Sequence, residues 1–361
     1  YNANDPHRLS DDVVKVIYED QFGNLWIGTA NGFNKFVRGS EQFIRFYHDP
    51  DDPYSLSNNQ INVISEDRSG ILWIGTRWGG LNKFDRNTGQ FIPYRHDPDI
   101  PYSLSDDGIL SICEDQAGGL WIGTVGGLNR LVPQLNRWDT EQFVQYKHDP
   151  NNPYSLSNDV IRSIYEDRSG VLWIGTEGGG LNKINQGAQH FVNHRPDSSD
   201  PYSLRVTSIY EDQDEDLWFG TAGGLFKLGR VTGELIPYQH DPTSSHILSR
   251  DMICTIHEDH SETLWIGTCW NGLEKFDRYT GTFTRYPHEL SSHNIRTIYK
   301  DHSGELWVGT EGGGLNRFDQ QKNQFIAFKH VPDNPNSLSH NNVLSIYEDR
   351  AGVIWIGTEG G

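Results

Sequence analysis

Histidine and acidic side chains recur along this chain at intervals that invite a chemical reading. His48, His96, His148, His194, His240, His288 and His330 each stand near the end of a β-rich run, before loops such as His48-Asp49-Pro50-Asp51-Asp52-Pro53. An imidazole can ligate a metal or carry a proton near neutral pH, and adjacent carboxylates such as Glu19-Asp20 can divide acid and base roles. Metal ligands, however, must converge to within about 2 Å of one ion. Groups that occur once in each of several similar units do not converge, so the histidines read as loop-fixing hydrogen-bond partners before proline-limited turns. The Glu-Asp pairs likewise read as strand ends that cap turns. No Gly-x-Ser-x-Gly elbow, Gly-Lys-Ser phosphate cradle or His-Glu-x-x-His occurs. Cys113, Cys254 and Cys269 contain no Cys-x-x-Cys pair, so neither a disulfide framework nor a zinc site is indicated. Neither metal nor cofactor is expected.

The elements that would position a site come from a repeat. Leu25-Trp26-Ile27-Gly28-Thr29 returns, with small changes, around Trp73, Trp121, Trp173, Trp218, Trp265, Trp307 and Trp355, so eight of the eleven tryptophans occupy one periodic position. Each unit reads as a β-rich run (Val13 to Glu19), an Asp-x-x-Gly turn, the Trp strand, a Gly-Gly turn, a third strand such as Leu81 to Phe84, and a fourth such as Gln90 to Tyr94. Four short strands joined by glycine-bearing turns make one antiparallel sheet. No 3.6-residue apolar stripe of any length is present, so helices are expected to be nearly absent.

A single sheet of this kind cannot bury both faces, whereas sheets stacked around an axis can. The expected fold is therefore an all-β propeller of four-stranded antiparallel blades, with residues 1–361 as one domain. A solenoid is the competing repeat architecture. Seven complete units and the first two strands of an eighth give an expectation of eight blades with the last incomplete, seven being the alternative. The sialidase-type Asp box is only approximated, because Asp20 precedes Gly23 by three residues rather than two.

The chain has 361 residues, with 49 acidic and 30 basic side chains and a net charge of −19. That balance speaks against sequence-independent nucleic-acid binding, which needs clustered cations to displace counterions. No run of eighteen apolar residues exists, so no membrane span is expected. The first residue is Tyr1, without Met or a signal peptide, which reads as a processed chain or a fragment.

The repeated acidic strand end, Asp-x-x-Gly-x-Leu-Trp-Ile-Gly-Thr and Gly-Gly-Leu turn resemble the two-component regulator propeller repeat, over essentially the whole chain. The resemblance implies an extracytoplasmic sensor region of a hybrid two-component histidine kinase, periplasmic or extracellular, that recognises carbohydrate fragments. The sequence contains no kinase, receiver, DNA-binding or Tyr-rich sandwich segment. Further propeller or signalling domains are implied partners.

Departures from the repeat mark the candidate site. The Gly-Gly turns and the long Asp-Pro-rich connectors are expected on one face, where residues vary from unit to unit. Arg77-Trp78 and Cys269-Trp270-Asn271 follow Gly-Thr there, with Asn31 at the corresponding place in the first unit. An exposed indole suits stacking on a sugar face; the alternative is that each Trp covers its neighbouring blade. Trp138 is assigned to packing the longer third unit. Lys15, Arg162 and Arg296 share one position of the innermost strand and suggest an anion-binding mouth. Reflecting each first hairpin about its turn opposes Lys15 with Ala30, Asn62 with Arg77, Arg162 with Glu177, Arg296 with Glu311, and Cys254 with Cys269. Two arginines would then be neutralised locally, leaving Lys15 and Arg77 as the foremost ligand residues. The cysteine pair is either a disulfide or two free thiols. The leading reading is a non-enzymatic sensor propeller that binds an oligosaccharide or other extracellular ligand. A lyase or hydrolase using Glu177 or Glu311 is the second, and a protein-interaction platform the third.

Overall fold

Each repeat folds as its turn residues dictate. The second runs Ile61–Glu66, Leu72–Thr76, Leu81–Asp85 and Gln90–Tyr94 as a meander whose spatial order follows the chain. Seven such four-stranded antiparallel sheets make up the body of the protein. The computed structural model describes residues 5, 7–132, 141–185, 190–196, 201–229, 232–238, 252–259, 263–278, 280–286 and 290–361. Among them the only helical element is the single turn Pro201–Leu204. The expectation of eight blades is corrected to its alternative, a seven-bladed all-β propeller. The eighth repeat contributes Val343–Glu348 and Ile354–Thr358, which pair as a two-stranded hairpin rather than as a four-stranded sheet.

Contacts divide the chain into two compact units, residues 1–11 with 18–195, and residues 12–17 with 196–361. Within each, the same three interactions recur.

The first explains the constant six-residue interval between Asp and Trp. Asp67 accepts the backbone N–H groups of Ser69 and Ile71 on Oδ1, both at 3.0 Å, and the indole N–H of Trp73 on Oδ2 at 2.7 Å. Gly70 closes this turn at φ +83°, a conformation that favours glycine. All eight repeats make the Asp–indole bond, at 2.6 to 2.9 Å.

The second is the burial of the indole between neighbouring blades. Trp26 lies 5.2 Å from Phe84 of the next blade, edge to face, and Lys35 of its own third strand covers it at 5.3 Å. In the second unit Trp218 meets Phe276 and Lys227 in the same way. Burying one such side chain contributes on the order of 3 kcal/mol.

The third interaction is close backbone approach at the glycine after Trp-Ile. A Cβ on Gly75 would stand 2.6 Å from Ile109 Cγ2 of the next blade, and one on Gly267 2.6 Å from Ile295 Cγ2. Gly357 of the final hairpin meets Val14 likewise, at 2.8 Å.

Candidate functional site

From the second blade onward, the first hairpin does not keep the register that simple reflection assigns. Ile61 opposes Thr76 and Val63 opposes Gly75, which leaves Asn62 as the extra residue of a β-bulge. Leu110, Arg162, Thr207, Cys254, Arg296 and Leu344 are the extra residues of the corresponding bulges. The residue after Thr instead donates its N–H to the residue before the strand: Arg77 to Gln60 at 2.9 Å, Glu177 to Val160 at 3.0 Å, Cys269 to Met252 at 3.0 Å, and Glu311 to Asn294 at 2.9 Å.

Side chains nevertheless meet across the bulge in three blades. Arg162 is paired with Glu177, Arg296 with Glu311, and Cys254 is joined to Cys269 in a disulfide, their Cα atoms 5.9 Å apart. The second blade differs. Asn62 donates its amide to the carbonyl of Ile109 in the next blade at 3.0 Å, rather than reaching Arg77. Arg77 makes no ion pair among the described residues; its guanidinium lies 5.4 Å from the ring centre of Trp78. Trp78 is 58% exposed and Trp270 65%. Trp78 and Trp270 therefore project from turns of one class, each in its own unit.

Asn31, Arg77, Trp78, Arg162 and Glu177 belong to the first unit, and Lys15, Trp270, Asn271, Arg296 and Glu311 to the second. Asn31 and Asn271 hold their turns through backbone N–H bonds to Thr29 Oγ1 (3.2 Å) and Thr268 Oγ1 (3.0 Å). Lys15 is partly exposed on the Val14–Glu19 strand. Asn294, which the sequence reading passed over, donates its amide to Glu311 at 2.7 Å, and Asn342 does the same for Glu359 at 2.5 Å. The signal was an Asn standing immediately before the first strand in both repeats. Trp138, His240 and His288 lie outside the described residues.

The loop histidines hold connectors in place. Nδ1 of His48, His96, His148 and His330 lies 2.6 to 2.8 Å from the carbonyl eight residues further on. His194 does not belong with them. It opposes Leu181 as Tyr94 opposes Leu81, and its ring sits 5.5 Å from Trp173, where other blades place Tyr or Phe. Burial, with Lys183 adding to it, pushes this imidazole below its ordinary range. Among the described residues no group of three His, Cys, Asp or Glu is placed to hold a metal.

The acidic pairs stitch blades together. Glu66 accepts the N–H of Gln21 and Glu114 that of Arg68, both at 2.7 Å, so each glutamate caps the Asp-x-x-Gly turn of the preceding blade. Burial works against the charge of Asp167, but hydrogen bonds from Ser169, Trp173 and Val171 outweigh it and hold the carboxyl below the usual range. Burial raises Glu166 and Glu258 above it. Cys113 is a partly buried thiol on Ile109–Glu114, pushed up to about 11 chiefly by burial.

Comparison with known proteins follows the same periodicity. The two component regulator propeller model matches residues 8–31, 55–78, 103–126, 155–178, 202–223, 289–312 and 337–360. The repeat around Trp265, which carries the disulfide, lies outside these matches. Among solved structures, the chain is similar to one described as the extracellular domain of a hybrid two component system, BT3049, from B. thetaiotaomicron. Identity is 27%, coverage 98% of this chain and 46% of that one, and the TM-score 0.63. A second, the extracellular domain of the one component system BT4673 from B. thetaiotaomicron, is 21% identical over 96% of this chain and 51% of that one, at TM-score 0.50. Virginiamycin B lyase from Staphylococcus aureus, 15% identical over 85% of this chain and 95% of that one at TM-score 0.56, shares the fold. The chain thus spans about half the length of the two extracellular domains. No curated protein matches the sequence. With its repeats matched seven times over the same strands and turns, the chain belongs to the two component regulator propeller family.

Proposed function

We propose that this propeller is the ligand-binding part of an extracellular sensor for two-component signalling, and that it recognises oligosaccharides at the turns between second and third strands. The observation that carries this reading is the Arg77–Trp78 pair, an exposed indole covered by a guanidinium that no carboxylate among the described residues engages. The indole offers an apolar face for a sugar ring, and the guanidinium offers a fork of donors for hydroxyl or carboxylate oxygens. Trp270 supplies a comparable face in the second unit. Extracellular placement is supported by the similarity to the extracellular domain of BT3049, and no described helix is long and apolar enough to cross a membrane. Signalling then requires that the ligand bind two arrangements of the sensor with unequal affinity, since only that difference is transmitted to further domains.

The lyase or hydrolase reading needs Glu177 or Glu311 available for proton transfer, and both are engaged by arginine. A glycan array on the purified chain tests the sensor reading. Binding that disappears in Trp78→Ala and Trp270→Ala supports it, and binding unchanged in both removes these turns from the site. Turnover of a polysaccharide that is lost in Glu311→Gln would replace sensing with catalysis.

One observation favours the interaction-platform reading as a second function. The fourth, edge strands of the first unit expose Ile44, Ile92, Val144 and Val192, each more than two-fifths accessible. Such apolar residues on open sheet edges mark association surfaces. Ile92→Lys should then abolish binding to a partner while leaving the glycan signal intact.

A further inference from the structure

The bulge residue and the residue after Thr occupy equivalent places in blades two to seven, yet three blades join them and they use two chemistries. Blades four and seven use an ion pair, Arg162 with Glu177 and Arg296 with Glu311. Blade six uses the Cys254–Cys269 disulfide. In blades two and five the bulge residue turns elsewhere: Asn62 and Thr207 donate to the carbonyls of Ile109 and Ile253 in the next blade. The join is thus a local option of the fold and not a requirement for forming a blade.

We propose that this pair is an interchangeable latch that fixes the turn between second and third strands, and that in blade six its covalent form positions Trp270. Three observations support it. Cys269 is 3% exposed and immediately precedes Trp270, which is 65% exposed. The backbone on both sides of the disulfide is itself tied, since Cys269 N–H bonds Met252 O at 3.0 Å and Asn271 N–H bonds Thr268 Oγ1 at 3.0 Å. The repeat carrying the disulfide is also the one that the family model does not match. A cross-link between strands removes conformations from the turn without adding any contact to a ligand, so its contribution to binding is preorganisation. Reduction by a dithiol supplies two electrons and two protons, leaves two thiols on the protein and a disulfide on the reductant, and releases the turn.

This deepens the sensor reading, because Trp270 is a proposed ligand contact, but its test needs no ligand. The protein is labelled with 5-fluorotryptophan, and the Trp270 and Trp78 resonances are identified by their loss in Trp270→Phe and Trp78→Phe. In the double variant Cys254→Ser with Cys269→Ser the Trp270 line should shift or broaden while the Trp78 line stays. In Cys254→Arg with Cys269→Glu, which installs the latch of blades four and seven, the native line should return. A dithiol added to the native chain should reproduce the Ser variant, which keeps the test open if that variant folds poorly. A Trp270 line unmoved by both the Ser variant and the reductant overturns the latch, as does a line that moves equally in the Ser and Arg–Glu variants. Absence of glycan binding would sink the sensor reading and leave this result standing.

Discussion

Asn62 gives its side-chain amide to the carbonyl of Ile109, 3.0 Å away in the next blade, and so does not engage Arg77. Asn62 carries no charge, and among the described residues Arg77 makes no ion pair; its guanidinium lies above the Trp78 ring. Asn62→Glu should place a carboxylate at the position from which Arg162 and Arg296 reach their own partners, and draw Arg77 into a pair. An exposed pair of this kind is worth up to about 1 kcal/mol, so affinity for a glycan hit should fall by roughly fivefold. Titration calorimetry on the variant and the native chain measures this, and equal affinities would show that Arg77 is not a ligand contact.

The Asp–indole bond makes a second expectation quantitative. Asp67→Ala removes the acceptor of the Trp73 indole N–H and the acceptor that the Ser69 and Ile71 N–H groups of its turn share. Leaving buried donors without a partner costs about 1–3 kcal/mol, to be read as a lower midpoint in urea denaturation. A midpoint unchanged from the native chain would mean that water replaces the carboxylate at no cost.

His194 provides a pH signature. Its folded-state value lies below the ordinary imidazole value because of burial, so the unfolded chain binds the proton more readily. The contribution of this group is complete above about pH 6.5 and declines as pH falls from there towards the folded value. The urea midpoint should therefore drop between pH 7.5 and pH 5.5 by more in the native chain than in His194→Tyr, the residue that two neighbouring blades carry. Identical drops would place the titration elsewhere.

Glycines of equal conservatism on paper should differ sharply. Gly75→Ala puts a methyl 2.5 Å from Val63 Cγ1 and 2.6 Å from Ile109 Cγ2, whereas nothing lies within 4 Å of a Cβ on Gly39. Overpacking of the first kind costs about 1–3 kcal/mol, and Gly39→Ala should stay within about 0.5 kcal/mol of the native chain. Thermal unfolding of the two variants side by side decides it.

What could be read from the sequence was local, and what escaped it depended on neighbouring strands or blades. The Trp strand, the Asp-x-x-Gly turn and the hairpin meander were legible because each is encoded within one repeat, by residues such as Asp67, Gly70 and Trp73. The bulge at Asn62 was not, because an extra residue leaves no mark on a count from Asp to Trp that lies wholly beyond it. The pairings Arg162–Glu177 and Arg296–Glu311 emerged from reflection although the backbone register beneath them is different. The capping of Gln21 by Glu66 needed the adjacent blade in place. His194 was grouped with loop histidines because its distance along the chain matched, while strand register puts it opposite Leu181. The eighth repeat was legible as two strands, and the blade count turned on whether two strands make a blade.

The central claim is that Trp78 and Trp270 meet the ligand while the repeat tryptophans hold the blades. Titrating a glycan hit into ¹⁵N-labelled protein and following the eleven indole N–H signals tests it most directly. The Trp78 and Trp270 signals should each move with saturation, and the eight signals bonded to aspartate should stay in place. Saturable binding that leaves both of the first two unmoved would contradict the account.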